Sequence, residues 1–322
     1  MIGGMHDVLT PAGPQAAALL YLWWVMVALC VLVFVAIMAA LAIALWRAPR
    51  STLHTAPDLS SLTRDEPRLR RAVVLAVAVS TVFLLALLFA SIFTDRALAR
   101  LPLEDALHIE LTGHQFWWEA VYDDADPSRM FVTANELHIP AGRPVLLTLR
   151  ADDVIHSFWV PSLHGKKDLI PGRESTFAFR ADRAGVYRGQ CAEYCGYQHA
   201  KMVIFVIADA PADYERWADG QRKPATTPAN DEERRGQELF VGSTCAMCHT
   251  VGGTRAQGRR APDLTHLASR LTIAAGIMPN NAATRAAWIA DPHQFKPGVN
   301  MPAHSFAPQD MAAINAYLES LQ

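Results

Sequence analysis

Residues 189–202 read Gly-Gln-Cys-Ala-Glu-Tyr-Cys-Gly-Tyr-Gln-His-Ala-Lys-Met, with Cys191, Cys195, His199 and Met202 at spacings of four, four and three. Two thiolates, an imidazole and a thioether on one short stretch form a soft-ligand set suited to copper. Zinc is the rival, since two cysteines and a histidine supply three of its usual ligands, but a thioether is a poor zinc ligand. A mononuclear blue-copper site needs one cysteine, so two suggest a pair of coppers bridged by both thiolates. Such a pair requires a second histidine. His156, in the apolar stretch Val154-Ile155-His156-Ser157-Phe158-Trp159, is the candidate, although taken alone it reads as a satisfied core residue.

A second chemical group follows at Cys245-Ala-Met-Cys248-His249. The C-x-x-C-H spacing reads as c-type haem attachment, with Cys245 and Cys248 forming thioethers and His249 ligating iron. A zinc half-site would need a second Cys/His pair, and a thioredoxin-like dithiol a βαβ context; neither is present. A methionine as sixth ligand raises the reduction potential. Met301 and Met278, each followed by proline, compete for that place with His266, His293 and His304.

The remaining sequence must position these groups. Residues 16–46 and 72–93 are two apolar runs, each exceeding the roughly 20 residues that cross a bilayer. Trp23, Trp24 and Trp46 suit interfacial belts, and Cys30 is a small apolar residue of the first run. Arg47, Arg50, Arg64, Arg68, Arg70 and Arg71 between the runs put that loop in the cytoplasm and both termini across the membrane, by the positive-inside rule. Residues 1–15 lack the basic start of a signal peptide, so either a signal has been removed or the first helix does the targeting.

Short β-branched runs at 107–111, 131–133, 145–149, 154–160, 175–179 and 202–207, punctuated by Pro, Gly, Asp and Asn, predict a β-sandwich or barrel over residues 101–210. Pro, Gly and Thr make 211–230 a linker, and helices at 231–240 and 308–321 bracket a small domain over 231–322. The net charge of −2 argues against nucleic-acid binding.

The motifs C-A-E-Y-C-G-Y-Q-H-A-K-M, V-I-H-S-F-W-V-P and D-L-I-P-G-R resemble subunit II of haem-copper cytochrome c oxidases, and residues 236–321, with C-A-M-C-H and K-P-G-V-N-M-P, resemble a class I cytochrome c. Together they look like the caa3 type. The resemblance implies a multidomain membrane protein: a two-helix hairpin over 1–100, an all-β cupredoxin sandwich over 101–210, and an all-α cytochrome c domain over 231–322. It implies a binuclear CuA centre held by His156, Cys191, Cys195, His199, Met202 and the Glu193 carbonyl, and a Mg²⁺ or Mn²⁺ shared with subunit I through the Glu193 carboxylate. It implies covalent haem c with Met301 favoured as the axial ligand. The segment Gly113-His114-Gln115-Phe116-Trp117-Trp118 matches a family stretch whose first tryptophan receives electrons; Phe116 stands there, and Trp117 is the substitute. A proton role for Glu66 is disfavoured.

The expected function is relay of electrons from cytochrome c or another external donor, through haem c and CuA, to a haem-copper subunit I that reduces O₂ and pumps protons. The expected setting is a bacterial inner membrane, with both domains on the periplasmic side. The tether would hold the haem domain at high effective concentration. The alternatives are the CuA subunit of a nitric oxide reductase complex and a membrane-anchored electron carrier. A quinol oxidase subunit would lack the copper ligands.

Overall fold

The computed structural model describes residues 6–48, 52, 54–56, 59 and 66–322. Arg50, Arg64 and Asp65 lie outside the described residues. The chain divides into one unit of residues 18–100 and another of residues 1–17 with 101–322.

The first unit contains α1 (Pro14–Arg47) and α2 (Pro67–Leu98), both long and apolar enough to cross a membrane. Each exceeds its apolar run because a proline near the first turn starts the helix and polar residues continue it. Arg47, Arg68, Arg70 and Arg71, expected in the loop, therefore sit on helix ends. Leu, Val and Phe side chains along both helices are exposed, which fits a lipid surround and not a soluble core.

Two sheets form the sandwich. The larger has the order β3 (Phe131–Ala134), β2 (Trp117–Tyr122), β1 (Leu107–His114), β5 (Val145–Ala151) and β8 (Ser175–Phe179). Strand β1 pairs parallel with β5 and antiparallel with β2. The smaller has the order β4 (Glu136–Pro140), β10 (Val203–Asp209), β9 (Gly185–Gln190). Alternate residues such as Ile109, Leu111, Leu147 and Leu149 face Leu137, Ile139, Ile204 and Val206 in one core. The expected strand at 154–160 shrinks to β6 (His156–Phe158), paired with β7 (Lys167–Leu169).

The predicted linker is a correction. Its first half is helix α3 (Pro211–Gln221), with Pro211 in the first turn and Gly220 in the last. Tyr214 and Ala218 are buried in the sandwich core, and Trp217 stacks on His138 with ring centroids 4.2 Å apart. Proline and glycine here punctuate a docked helix and do not loosen a tether.

The C-terminal part is helical. In α4 (Asp231–Gly242) the Asn230 side chain accepts from Glu233 N–H at 2.9 Å, and Asp231, Glu232 and Glu233 complement the helix dipole. It packs against α7 (Pro308–Ser320) through Phe240 and Tyr317, ring centroids 5.9 Å apart. Between them lie α5 (Cys245–Cys248), the strand pair β11 (Thr272–Ile273) and β12 (Met278–Pro279), and α6 (Ala282–Ala290), which opens on an Asn281–Thr284 capping box.

Candidate redox sites

The soft donors converge. Cys191 follows β9, Met202 precedes β10, and β9 and β10 pair antiparallel, so the intervening loop is pinned at both ends. Cys191 N–H closes it by donating to Met202 O at 2.9 Å. His156 arrives from β6, and the ligand atoms of His156, Cys191 and Cys195 lie within 4.8 Å of one another, all three residues buried. Cys191 Sγ is 3.9 Å from His156 Nδ1 and 3.2 Å from Glu193 O; Cys195 Sγ is 3.7 Å from His199 Nδ1 and 3.8 Å from Met202 Sδ.

The two thiols share a hydrogen bond. Hydrogen bonding to Cys195 holds Cys191 well below the usual thiol range, and the same contact, with burial second, pushes Cys195 up. A soft cation bound between the thiols would favour their deprotonation. Two thiols, two imidazoles, a thioether and a carbonyl are the donor chemistry of copper, so these residues fit the copper group.

Residues missed in the sequence orient this set. Asp153 Oδ1 lies 2.7 Å from His156 Nε2, leaving Nδ1 toward the thiols. Burial is the largest single influence on the His156 pKa and lowers it, but the hydrogen bonds and charges of Asp153 and Cys191 together outweigh burial and the net shift is upward. Asp153 also accepts from Val154 N–H at 2.6 Å and from Gln115 N–H at 2.6 Å, and Gln115 Nε2 donates to Cys195 O at 2.6 Å. A side chain on Gly113 would strike the His156 ring at 2.8 Å, so glycine is required there. The legible signal was an aspartate three residues before the histidine.

The haem motif lies in the wall of an apolar cleft of about 1170 Å³, mouth included, lined by Cys245, His249, Leu264, Trp288, Met301 and Leu318 among others. His249 Nδ1 sits 2.7 Å from Pro262 O, leaving Nε2 to the cleft, and burial lowers its pKa, keeping the imidazole neutral. Arg270 and Arg285 are buried in the same wall, and among the described residues their Nε groups have no partner, which suits a group that carries carboxylates, as a porphyrin does. These residues fit haem c.

Met301 lines the cleft, whereas Met278 packs in the core against β11 and does not. His266 has both ring nitrogens within hydrogen-bond distance of carbonyls, those of Gln322 and Lys223, and neither His293 nor His304 lines the cleft. Phe116 is buried in the sandwich core, yet it and Trp117, which stacks on His114 at 4.3 Å, also line this cleft; Trp118 is wholly core. Glu193 is half exposed, its carboxylate 3.0 Å from Lys166 Nζ, which also lies 3.2 Å from Asp168.

A copper-type donor cluster in a β-sandwich, joined to a haem-attachment cleft and preceded by two membrane-type helices, combines two donor sets suited to one-electron redox groups. Residues 124–209 match the family described as cytochrome c oxidase subunit II, periplasmic domain, and residues 233–322 match cytochrome c. The cytochrome c oxidase subunit 2 of Alkalihalophilus pseudofirmus is 38% identical over 220 residues, covering 68% of this chain and 62% of the relative. That of Bacillus subtilis is 33% identical over 230 residues, covering 68% and 63%. The chain thus spans less than two thirds of the length of these relatives. It carries a cytochrome c oxidase subunit II periplasmic domain, cupredoxin-like in fold, joined to a C-terminal cytochrome c domain; these are copper and haem c domains.

Proposed function

We propose that the chain is the subunit through which electrons enter a terminal cytochrome c oxidase, passing from cytochrome c or another external donor toward a haem-copper subunit I that reduces O₂ to water and pumps protons. The carrying observation is that one cleft is lined both by Cys245 and His249 of the haem-attachment motif and by Phe116 and Trp117 of the copper-type domain. In the same reading both termini and both redox domains lie on the periplasmic side of a bacterial inner membrane, which the arginine excess between the helices supports.

In this reading His156, Cys191, Cys195, His199, Met202 and the Glu193 carbonyl hold the binuclear copper, while Cys245 and Cys248 anchor the haem and His249 and Met301 ligate its iron. When bound, the two groups supply one-electron redox chemistry. The protein's own contribution is rigidity. The pinned 191–202 loop and the Asp153-oriented His156 keep the donors in place through a change of charge, which lowers the reorganisation accompanying each transfer. Burial of Cys191, Cys195 and His156 excludes water. The Glu193 carboxylate, with Asp168 nearby, is the site for Mg²⁺ or Mn²⁺ shared with subunit I, the cation taking the place of Lys166.

Metal analysis with electron paramagnetic resonance on the purified chain tests this reading. The expected result is two coppers with a mixed-valence signal and one haem c per chain. One zinc and no copper would sink it.

A further inference from the structure

Strand β10 has no solvent face. Ile204, Val206 and Ala208 belong to the sandwich core, and Val203, Phe205 and Ile207 on the other side are buried as well. The turn at 274–276 of the cytochrome domain covers them. A Cβ on Gly276, whose φ is +82°, would fall 2.6 Å from Val203 and 3.1 Å from the Phe205 ring, and Val203 N–H donates to Ala275 O at 3.1 Å. The unbroken apolar run of β10 carries the same message, since a strand with one wet face alternates.

Two charged side chains are sealed into this contact. Glu136, 2% exposed, accepts from Leu271 N–H at 3.0 Å and from the N–H and hydroxyl of Thr272, both at 2.9 Å. Lys296, 2% exposed, donates to Phe116 O at 3.0 Å and to Ala274 O at 3.1 Å. Burial, with the like charge of Lys201 second, pushes its ammonium down to about 7. Buried charges persist where hydrogen bonds satisfy them, and removal of either partner leaves the other stranded. Ala274 and Ala275 hold left-handed φ values of 54° and 55°, a conformation retained only where surroundings over-determine it, and both carbonyls are engaged, one by Lys296 and one by Val203.

Further contacts tie the axial-methionine loop to the copper loop. Gln198 Nε2 donates to Pro297 O at 2.7 Å, and Lys201 donates to Phe295 O. The connecting chain adds no slack at its crossing point. Arg222 Nε donates to Arg129 O of the sandwich at 3.0 Å, and the carbonyl of the next residue, Lys223, lies 2.9 Å from His266 Nε2 of the cytochrome domain.

We infer that the cytochrome domain is fixed on the outer face of β10, with Glu136 and Lys296 as positioning residues, and does not swing on a tether to meet the copper domain. Lys296 spans the axial-methionine loop and the Phe116 carbonyl. Gln115, next to Phe116, bonds to Cys195 O, so a short chain of contacts runs from the cleft wall to a copper-site cysteine. The inference rests on the electron-relay reading above for its functional consequence, and on geometry alone for the docking.

The test uses the full chain with its metals and three variants: Glu136→Gln, Lys296→Met, and a six-residue Gly-Ser insertion between Lys223 and Pro224 that leaves both domains intact. The docking readout is amide exchange at Leu271 and Thr272, and the functional readout is haem-to-copper electron transfer after photoreduction, followed against viscosity. In the natural sequence we expect protected amides and a rate independent of viscosity. We expect the insertion to change neither, and the two substitutions to lose protection, to slow transfer at least tenfold and to make it viscosity-dependent while the metal and haem spectra stay unchanged. Rapid exchange in the natural sequence, a rate that falls with viscosity or with the insertion, or substitutions that leave protection and rate intact would each overturn the docking. Protected amides without any haem-to-copper transfer would instead overturn the relay reading and leave the docking standing.

Discussion

The copper-type site and the haem cleft solve the same problem, holding a redox group still, by opposite means. In the sandwich the donors come from segments 35 residues apart and are brought together by strand pairing, by the Cys191–Met202 closure and by Asp153, with the space between them already small. In the helical domain Cys245, Cys248 and His249 arrive within five consecutive residues, Met301 comes from a loop 52 residues further on, and the fold supplies apolar walls around them. The first is a site built by a core. The second is a core shaped around the group it would hold, because apolar walls of this kind are stable when they close-pack against a partner.

That contrast predicts different responses to losing the group. The double substitution Cys245→Ser, Cys248→Ser should abolish covalent haem and unfold residues 231–322 as a unit, while Cys191→Ser should abolish the mixed-valence copper signal and leave the sandwich folded. Amide exchange resolved by segment distinguishes them. A haem-free domain as protected as the loaded one would break the comparison.

A smaller effect probes how far the sandwich prepares its site. Asp153 touches no proposed ligand except His156 Nε2, and it also fixes Gln115 through the backbone. Asp153→Asn should retain two coppers per chain but weaken copper affinity about 10–100-fold, the usual scale for losing a group that orients a metal-bound histidine. Competition with a copper chelator measures this. Unchanged affinity would mean the loop alone sets the geometry.

The same contrast governs what the sequence disclosed. Both chemical motifs were legible because their spacing is local, and the two apolar helices because 20-residue runs are unmistakable. His156 was found only because the copper loop needed a partner. Strand β2 escaped notice since Trp118, Ala120 and Tyr122 point inward while Trp117 and Val121, on the other face, are also apolar, which hides the alternation. Strand β9 begins with glycine and carries another, and helix α3 lay under proline and glycine that read as linker. Glu136 and Lys296 are the sharper lesson. Charged residues default to solvent, and only the contact between two domains distant in sequence reveals that these two are buried.

The smallest expected effect concerns the sandwich without regard to metal. His164 packs on Phe177 with ring centroids 4.3 Å apart, its Nδ1 has no partner among the described residues, and burial lowers its pKa to about 4. The folded-state value lies below the unfolded one, so between those two values the unfolded chain binds the proton and the folded chain does not. Its influence is absent above about pH 6.5, and stability is lost as pH falls from there toward 4. At pH 5.5 the loss amounts to about 1 kcal/mol. His164→Gln should flatten that part of the profile, read as the difference in denaturation midpoint between the two proteins at pH 7.5 and pH 5.5, so that other titrating groups cancel. Parallel profiles would show that His164 takes up its proton within the fold, and that the sandwich opens there more easily than its packing indicates.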